Sequence, residues 1–432
     1  MAGKKQSFNF KNYKFSKKKI AYIPETVEVS MNQYGKNECI PTVETGQIVK
    51  EGQIIGRGSG DSAAVHSSVP GVISNFKYIS MPTGKRSLAA VINMKGSFTY
   101  TGKSETHADW KLLSESELIT LFKNRGVINT SSYKPVSLAE QCADEKSKNK
   151  VLYVCLFDMQ PDIFVDSFLT NRYPEKITIG AEIIAKTINA PKIVFFYSND
   201  DSKFISEKIK EGLSSSVTAE FIPVDTTRYP YGVKNELIRA VHKIFPENSN
   251  DDVIKEPAFC VESSTLCDVY DGVVLSKPVI ERIVQVVGGG LYNSNLFQVR
   301  IGTPIKELIM ECGGSRKTPG KIIINGVIQG IQISDVTTPI TKFVKSITLL
   351  EKKEVQSSVV SACVHCGRCH AVCPEGIHPD RLFALFLNNI KISDEVFEAK
   401  KWCSECGLCN TVCPSRLPLV QSISLIKEEY ND

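Results

Sequence analysis

The sequence predicts a multidomain α/β protein, and three observations predict it. Short β-branched runs punctuated by glycine open the chain, strand-like and helix-like runs alternate from Val151 onward, and eight of the fourteen cysteines fall into two copies of one spacing near the C-terminus. A length of 432 residues is enough for about three domains with real cores. The expected units are a basic tail over 1–19, an all-β unit over 20–105, a central α/β domain over 106–278, a small α+β domain over 279–350 and a helical unit over 351–432.

The net charge is a mild +5. Its excess lies at the start, where Lys4, Lys5, Lys11, Lys14, Lys17, Lys18 and Lys19 crowd a segment with no apolar run. Such a segment reads as a solvated tail, or as a basic arm gaining about 1 kcal/mol per lysine beside an anionic leaflet. Without an apolar h-region it is not a signal peptide. No stretch approaches the ~18 to 20 apolar residues that span a bilayer, so a soluble or peripheral protein is expected. Basic residues beyond the tail are balanced by acids, and no aromatic-basic recognition motif occurs, so nucleic-acid binding is not expected.

Residues 40–75 place Gly46, Gly52 and Gly56 between β-branched pairs and continue into Val65-His66-Ser67-Ser68-Val69-Pro70-Gly71-Val72. This pattern resembles the barrel-sandwich hybrid of lipoyl and biotinyl domains. Those domains carry a modified lysine at the hairpin tip, which here reads Ser67-Ser68-Val69-Pro70-Gly71, so a scaffold role is expected. His66 beside the turn is read as a hydrogen-bonded structural residue.

Ser114-Glu115-Ser116-Glu117 before Leu118 and Ile119 is a capping box opening an amphipathic helix, with Gly126 as its stop. Strands are expected at Val151–Phe157, Lys192–Tyr197 and Ala219–Val224, and helices at Ile179–Ile188, Phe204–Leu213 and Lys234–Ile244. This is βαβ material for a mostly parallel sheet. No GxGxxG follows the first strand, so a dinucleotide fingerprint is absent. From 279 to 350 short strands return, at Val284–Gly290, Phe297–Val299 and Lys321–Gly326, and Gly288-Gly289-Gly290 reads as a tight turn.

The cysteine copies are Cys363-x2-Cys366-x2-Cys369-x3-Cys373-Pro374 and Cys403-x2-Cys406-x2-Cys409-x3-Cys413-Pro414. Three cysteines at three-residue spacing wrap one corner of a cubane, and the fourth, before proline, reaches across to the other cluster. Two [4Fe-4S] clusters are therefore expected. Cys363, Cys366, Cys369 and Cys413 hold one; Cys403, Cys406, Cys409 and Cys373 hold the other. Zinc explains neither the triplet nor the trailing Cys-Pro, and disulfides suit neither the spacing nor a chain without a secretory signal. Thiolate ligands imply a reducing compartment. Cys39, Cys142, Cys155, Cys260, Cys267 and Cys312 lack ligand spacing, and most of them read as small buried hydrophobes. Apolar spacing over Asp380–Phe386, a helix start at Ser393-Asp394-Glu395 and a closing helix over Pro418–Glu429 favour a helical two-cluster ferredoxin domain. Arg368, His370 and Arg416 are candidates for tuning cluster potential or docking an acidic partner.

Taken in order, these residues resemble the C-subunit of the Rnf ion-translocating electron-transport complex, a ferredoxin:NAD oxidoreductase. The resemblance rests on the Gly46/Gly52/Gly56 hairpin, Pro278-Val-Ile-Glu281-Arg282-Ile-Val, Ile301-Gly302-Thr303-Pro304, Gly313-Gly314, Pro319-Gly320-Lys321, and Cys406 through Val420. It implies an SLBB-like fold for 279–350, and a central domain related to the flavin-bearing subunit of respiratory complex I. It also implies FMN and NADH bound at a G-x-G-G-A-G-F-P-T loop. Here that loop is Gly126-Val-Ile-Asn129-Thr-Ser-Ser-Tyr-Lys-Pro135, which keeps one glycine and the proline. The family's N-G-A-E-C-E-P-Y strand end reads Cys155-Leu-Phe-Asp158-Met-Gln160-Pro161-Asp162, and its Y-P-x-G-G-E-K reads Tyr229-Pro-Tyr-Gly-Val-Lys-Asn235. Gly126, Asn129, Pro135 and Asp158 are the remaining candidates for a flavin site. Side chains now stand where a phosphate needs bare backbone, so FMN and NAD(H) binding is expected to be weakened or lost. The expected function is an electron-transfer subunit relaying electrons through its clusters. The alternatives are a working FMN- and NADH-dependent oxidoreductase and a structural assembly subunit. The resemblance implies other Rnf-type membrane and iron–sulfur subunits and a soluble ferredoxin as partners. It also implies a peripheral position on the cytoplasmic face of a prokaryotic inner membrane.

Overall fold

In the N-terminal barrel, the strands Thr26–Ser30, Arg86–Met94, Gly71–Ser80 and Ile48–Val49 form one antiparallel sheet in that order. Ile40–Pro41, Ile54–Arg57 and Val65–His66 form a second. Alternating residues of both, among them Val27, Val29, Ile55, Val65, Ile73 and Ile92, share one core. This computed structural model describes residues 13–34, 38–83, 85–98, 109–131, 135–145, 150–199, 203–215, 217–244, 259–355, 359–388 and 403–429. Lys4, Lys5 and Lys11, the loop residues Ser132, Tyr133 and Lys134, and the expected helix start at Ser393–Glu395 lie outside them. The hairpin tip is buried, and Ser68 Oγ donates to the Ile301 carbonyl, so the tip is an internal contact.

Ser114 caps the helix Glu115–Arg125 with both halves of its capping box formed, and Gly126 closes it at φ 70°. The parallel sheet has the order Ala219–Val224, Ile193–Ser198, Leu152–Cys155, Phe259–Glu262. The period of two decides what each face meets. Leu152, Val154, Ile193 and Phe195 pack with the helices Pro174–Thr187 and Ser263–Val273. On the opposite face, Tyr153, Val194, Phe196 and Ile222 pack with Leu237 and Val241 of the helix Lys234–Ile244, and with Val372, Cys406 and Leu408 of the cysteine unit. The motif residues thus roof the central sheet.

A six-stranded sheet follows, in the order Lys19–Ile20, Asn295–Arg300, Glu281–Val287, Ser346–Leu350, Lys321–Ile324, Ile331–Ile333. Its core takes Ile305, Leu308 and Ile309 from the helix Ile305–Glu311. The triple glycine forms the turn between Glu281–Val287 and Asn295–Arg300. Lys19 and Ile20 pair in parallel with Phe297 and Gln298, so the segment expected to end a tail and begin the barrel is an edge of this distant sheet. A two-residue strand carries no periodicity to read, which is why the pairing is invisible in the sequence.

Among the described residues, the C-terminal unit holds the helices Arg368–Val372, Pro379–Leu387, Leu408–Val412 and Leu419–Glu429. Among the described residues no helix is long and apolar enough to cross a membrane.

Candidate functional site

The two cysteine motifs fold alike. His365 and Glu405, the second residue after each leading cysteine, take φ of 51° and 53°, and Gly367 and Gly407 take 71° and 78°. The left-handed turn points the amides of His365 and Glu405 back at Cys363 Sγ and Cys403 Sγ, each at 3.4 Å. The short helices Arg368–Val372 and Leu408–Val412 then begin, placing Cys369 and Cys409 one turn along.

This geometry gathers the thiols around two cavities. One is lined by Cys363, Cys366, Cys369 and Cys413, the other by Cys403, Cys406, Cys409 and Cys373. Each therefore receives three cysteines from one motif and the pre-proline cysteine of the other. Burial pushes the Cys403 thiol up to about 12, and Cys369 and Cys406 up to about 11. Cys409 and Cys373 are raised by the same cause, Cys409 further by its neighbours Cys406, Cys403 and Cys373. Among the described residues no three His, Cys, Asp or Glu side chains converge as ligands of a single ion would.

The cavities differ in their surroundings. Cys366 is exposed, with Val359, Val360 and Val364 exposed nearby in sequence, whereas its counterpart Cys406 is buried. The Tyr229 hydroxyl donates to the Cys406 carbonyl, and Gln329 Nε2 donates to the Glu405 carbonyl at 2.8 Å. Gln160, where the family resemblance places an acid, bonds both Tyr229 and Gln329. Lys427 Nζ donates to the Cys403 carbonyl and pairs with Glu405. Of the tuning candidates, His370 stacks on His378 at 3.8 Å between ring centres, and Arg368 and Arg416 form no ion pair among the described residues.

Beside the second cavity lies a cleft at the end of the parallel sheet, lined by Thr130, Pro135, Asp158, Gln160, Asp166, Glu262, Phe343 and Lys345 among others, with about 80 Å³ of room. Of the four flavin candidates only Pro135 and Asp158 line it. Gly126 faces the barrel instead, where a Cβ would collide with Lys342 Nζ and the Ala64 carbonyl. Asn129 is buried and internally satisfied, donating to Gln141 and to the Cys260 carbonyl and accepting from the Ser131 amide. Asp158 accepts from the amides of Val165, Asp166 and Ser167, capping the helix Asp166–Arg172. The loop closes as a hairpin, Ile128–Asn129 against Val136–Ser137, and Thr130 and Ser131 tie it to Glu262 and the Cys260 carbonyl.

Residues 9–97 match the RnfC barrel sandwich hybrid domain. Over 371 residues the chain is 28% identical to the C-subunit of the proton-translocating ferredoxin:NAD(+) oxidoreductase complex of Clostridium ljungdahlii, covering 85% of this chain and 79% of that one. It is 24% identical over 358 residues to the Na(+)-translocating counterpart of Acetobacterium woodii, covering 82% and 80%. With the C-subunit of the ion-translocating oxidoreductase complex of Methanosarcina acetivorans it shares 27% over 390 residues, covering 85% and 84%. Over most of its length the chain is thus similar to C-subunits of ion-translocating oxidoreductase complexes of the Rnf type. Among solved structures, a chain of an NAD+-reducing [NiFe]-hydrogenase aligns at a TM-score of 0.48 and 14% identity, over 68% of this chain and 55% of that one, too weakly to bear on fold or function.

Glu262, Asp166 and Lys345 were missed by reasoning from sequence, as was the Tyr229 link to Cys406. Glu262 had a signal. It ends a strand and precedes a helix, the position where parallel sheets collect functional side chains.

Proposed function

We propose that this relative of the Rnf C-subunit is an electron-transfer subunit of a membrane-associated ion-translocating oxidoreductase, with two [4Fe-4S] clusters held by the crossed cysteine sets. The observation that carries the reading is the pair of cavities, each lined by four cysteines, three from one motif and one from the other. The donor set fits the group: all-thiolate ligation is what cubanes take, and amides aimed at sulfur stabilise the charge on it. When bound, each cluster supplies one-electron transfer.

The chain's own residues arrange the route. Cys366 gives the first cavity an exposed side for exchange with a partner. Tyr229, Gln160 and Gln329 fix the second against the central domain, and Leu408 and Val372 exclude water beneath it. Partners of the relatives' complex class, its other membrane and iron–sulfur subunits and a soluble ferredoxin, belong to this proposal. So does a peripheral place on the cytoplasmic face of the membrane.

The flavin and nicotinamide site is proposed to be degenerate. Its remnant has about 80 Å³ of room, and its lining holds the carboxylates of Asp158, Asp166 and Glu262 against one lysine. A mononucleotide needs several hundred Å³.

Anaerobic purification with metal, sulfide and flavin analysis tests the reading. About eight irons per chain and no FMN are expected. FMN with NADH turnover would replace it with the oxidoreductase alternative, and a folded, iron-free, complex-competent chain with the assembly alternative. Cys373→Ser should damage the cluster of Cys403, Cys406 and Cys409; selective loss of the Cys363 cluster would show the crossing to be wrong.

A further inference from the structure

A larger cavity, with about 340 Å³ of room, opens between the helix Ser263–Val273, residues 165–176 and the strand Glu281–Val287. Its apolar wall is Val165, Leu169 and Ile283, beside the ring of Tyr173. Its charge is unbalanced. Each lining carboxylate already has a partner: Asp268 pairs with Arg282, Asp271 with Lys176, and Glu281 with Lys277. Lys345 is held from behind by Asp166 and Glu262. Lys18 and Lys342 remain, with no carboxylate partner among the described residues; the Lys342 ammonium bonds the Ala64 and Gly126 carbonyls.

Arg282 is the decisive residue. It is 7% exposed, and although Nη1 meets Asp268, its Nε and Nη2 have no hydrogen-bond partner. Leaving buried guanidinium donors unmade is costly, and native proteins rarely do so without a ligand or water. Lys342, 2% exposed, is pushed down to about 7, first by burial and then by the charge of Arg282. Arg282 and Lys342 thus both line the cavity, close enough to repel, with Asp268 as the one carboxylate near both.

We infer that this cavity binds a small organic anion bearing a phosphate or carboxylate group, with Arg282 and Lys342 at its charged end and Leu169, Ile283 and Tyr173 along its apolar body. The volume sits at the lower end for small-molecule pockets, which suits a metabolite rather than a dinucleotide. The site is separate from the cysteine cavities and does not depend on their metal content.

Calorimetric titration of the full chain, with its native metal complement, at about pH 7 in phosphate-free buffer tests this. Inorganic phosphate and succinate serve as separate probes, and the one that binds tells which head group the site takes. One saturable site per chain is expected for at least one of them. Arg282→Met should weaken it about tenfold or more, the loss of a charge-assisted bond, and Lys18→Ser at the mouth by a few fold. Lys186→Ser, which lines the separate cavity beside Trp110, should leave affinity unchanged. Should the Arg282→Met chain fail to fold, Lys18→Ser alone carries the test. A flat titration with both probes, meaning a cavity that holds water only, overturns the inference. So does binding that is indifferent to the Lys18 and Arg282 changes, or that is lost with Lys186→Ser.

Discussion

Lys345 stands between Asp166 and Glu262 at the end of the parallel sheet, one ammonium for two buried carboxylates. Burial, then the like charge of Asp166, raises Glu262 to about 8 despite the lysine, while the same carboxylates hold Lys345 raised and charged. A carboxyl with a raised folded pKa binds its proton more tightly in the native state. Its contribution to stability is full below the ordinary value of 4.5 and is lost as pH rises through about 8. Glu262→Gln keeps an acceptor for Lys345 and Thr130 but removes the ionisation. Its thermal midpoint should fall less than the parent's between about pH 5 and pH 8, and lie at or above it at the upper end. A steeper fall in the variant would mean that the ionised pair is net stabilising. The residues around this triad also show what one sequence conceals. Asn129 and Asp158 stood in register with a flavin-binding pattern, yet each is consumed by local bonds, one within a hairpin and one at a helix N-terminus. Register identifies position, whereas role is set by which neighbours arrive first.

At the level of elements, the repeated motif offers an internal control. Gly367 and Gly407 occupy equivalent left-handed positions, where an L-residue costs about 1–2 kcal/mol. A Cβ at Gly367 meets nothing within 4 Å, but at Gly407 it would press Ile328 Cγ2 and the Ile328 carbonyl at 3.0 Å. Gly367→Ala should therefore show only the conformational cost. Gly407→Ala should in addition push the second cavity off the 326–330 loop and weaken the Gln329 bond to Glu405, so iron retention and thermal midpoint should fall further in it than in Gly367→Ala. Equal effects would mean that the contact with Ile328 carries nothing. Elements with their own signal were legible in the sequence: the capped helix Glu115–Arg125, three strands of the parallel sheet and the helix Lys234–Ile244. Those defined by distant partners were not. Phe259–Glu262, Ile331–Ile333 and the edge Lys19–Ile20 are four residues or fewer, too short for a period, and owe their state to the strands beside them. The cysteine spacing was legible because ligation chemistry restricts it, but the burial of one cavity against Tyr229 and the exposure of the other depend on tertiary packing that spacing does not encode.

For the whole molecule, the distribution of hydrophobic core predicts how it should come apart. The barrel and the central domain share one large core, and the six-stranded sheet has its own. The cysteine unit has little by comparison. One of its clusters is Cys369, Phe383, Cys409, Leu417 and Leu419 with Cys363, Cys413 and Val420 packed on it, so half of its members are cysteines. Its helices Arg368–Val372 and Leu408–Val412 have five residues each, far below the ~12 at which an isolated helix becomes marginal. If the proposed clusters are present, their ligation is most of what folds this unit, as with other small metal-held domains. Stripping iron with a chelator under mild oxidation should then open residues 359–429 to protease while a fragment ending near residue 355 persists. Helical circular dichroism should fall by only the share of this unit's helices, and thermal unfolding should split into an early and a late transition. The late one should shift down slightly, because Val372, Cys406 and Leu408 would no longer cover Tyr153 and Phe196. A stripped chain that resists cleavage in 359–429 and melts in one transition would show that packing on the central sheet, rather than metal, holds the unit in place.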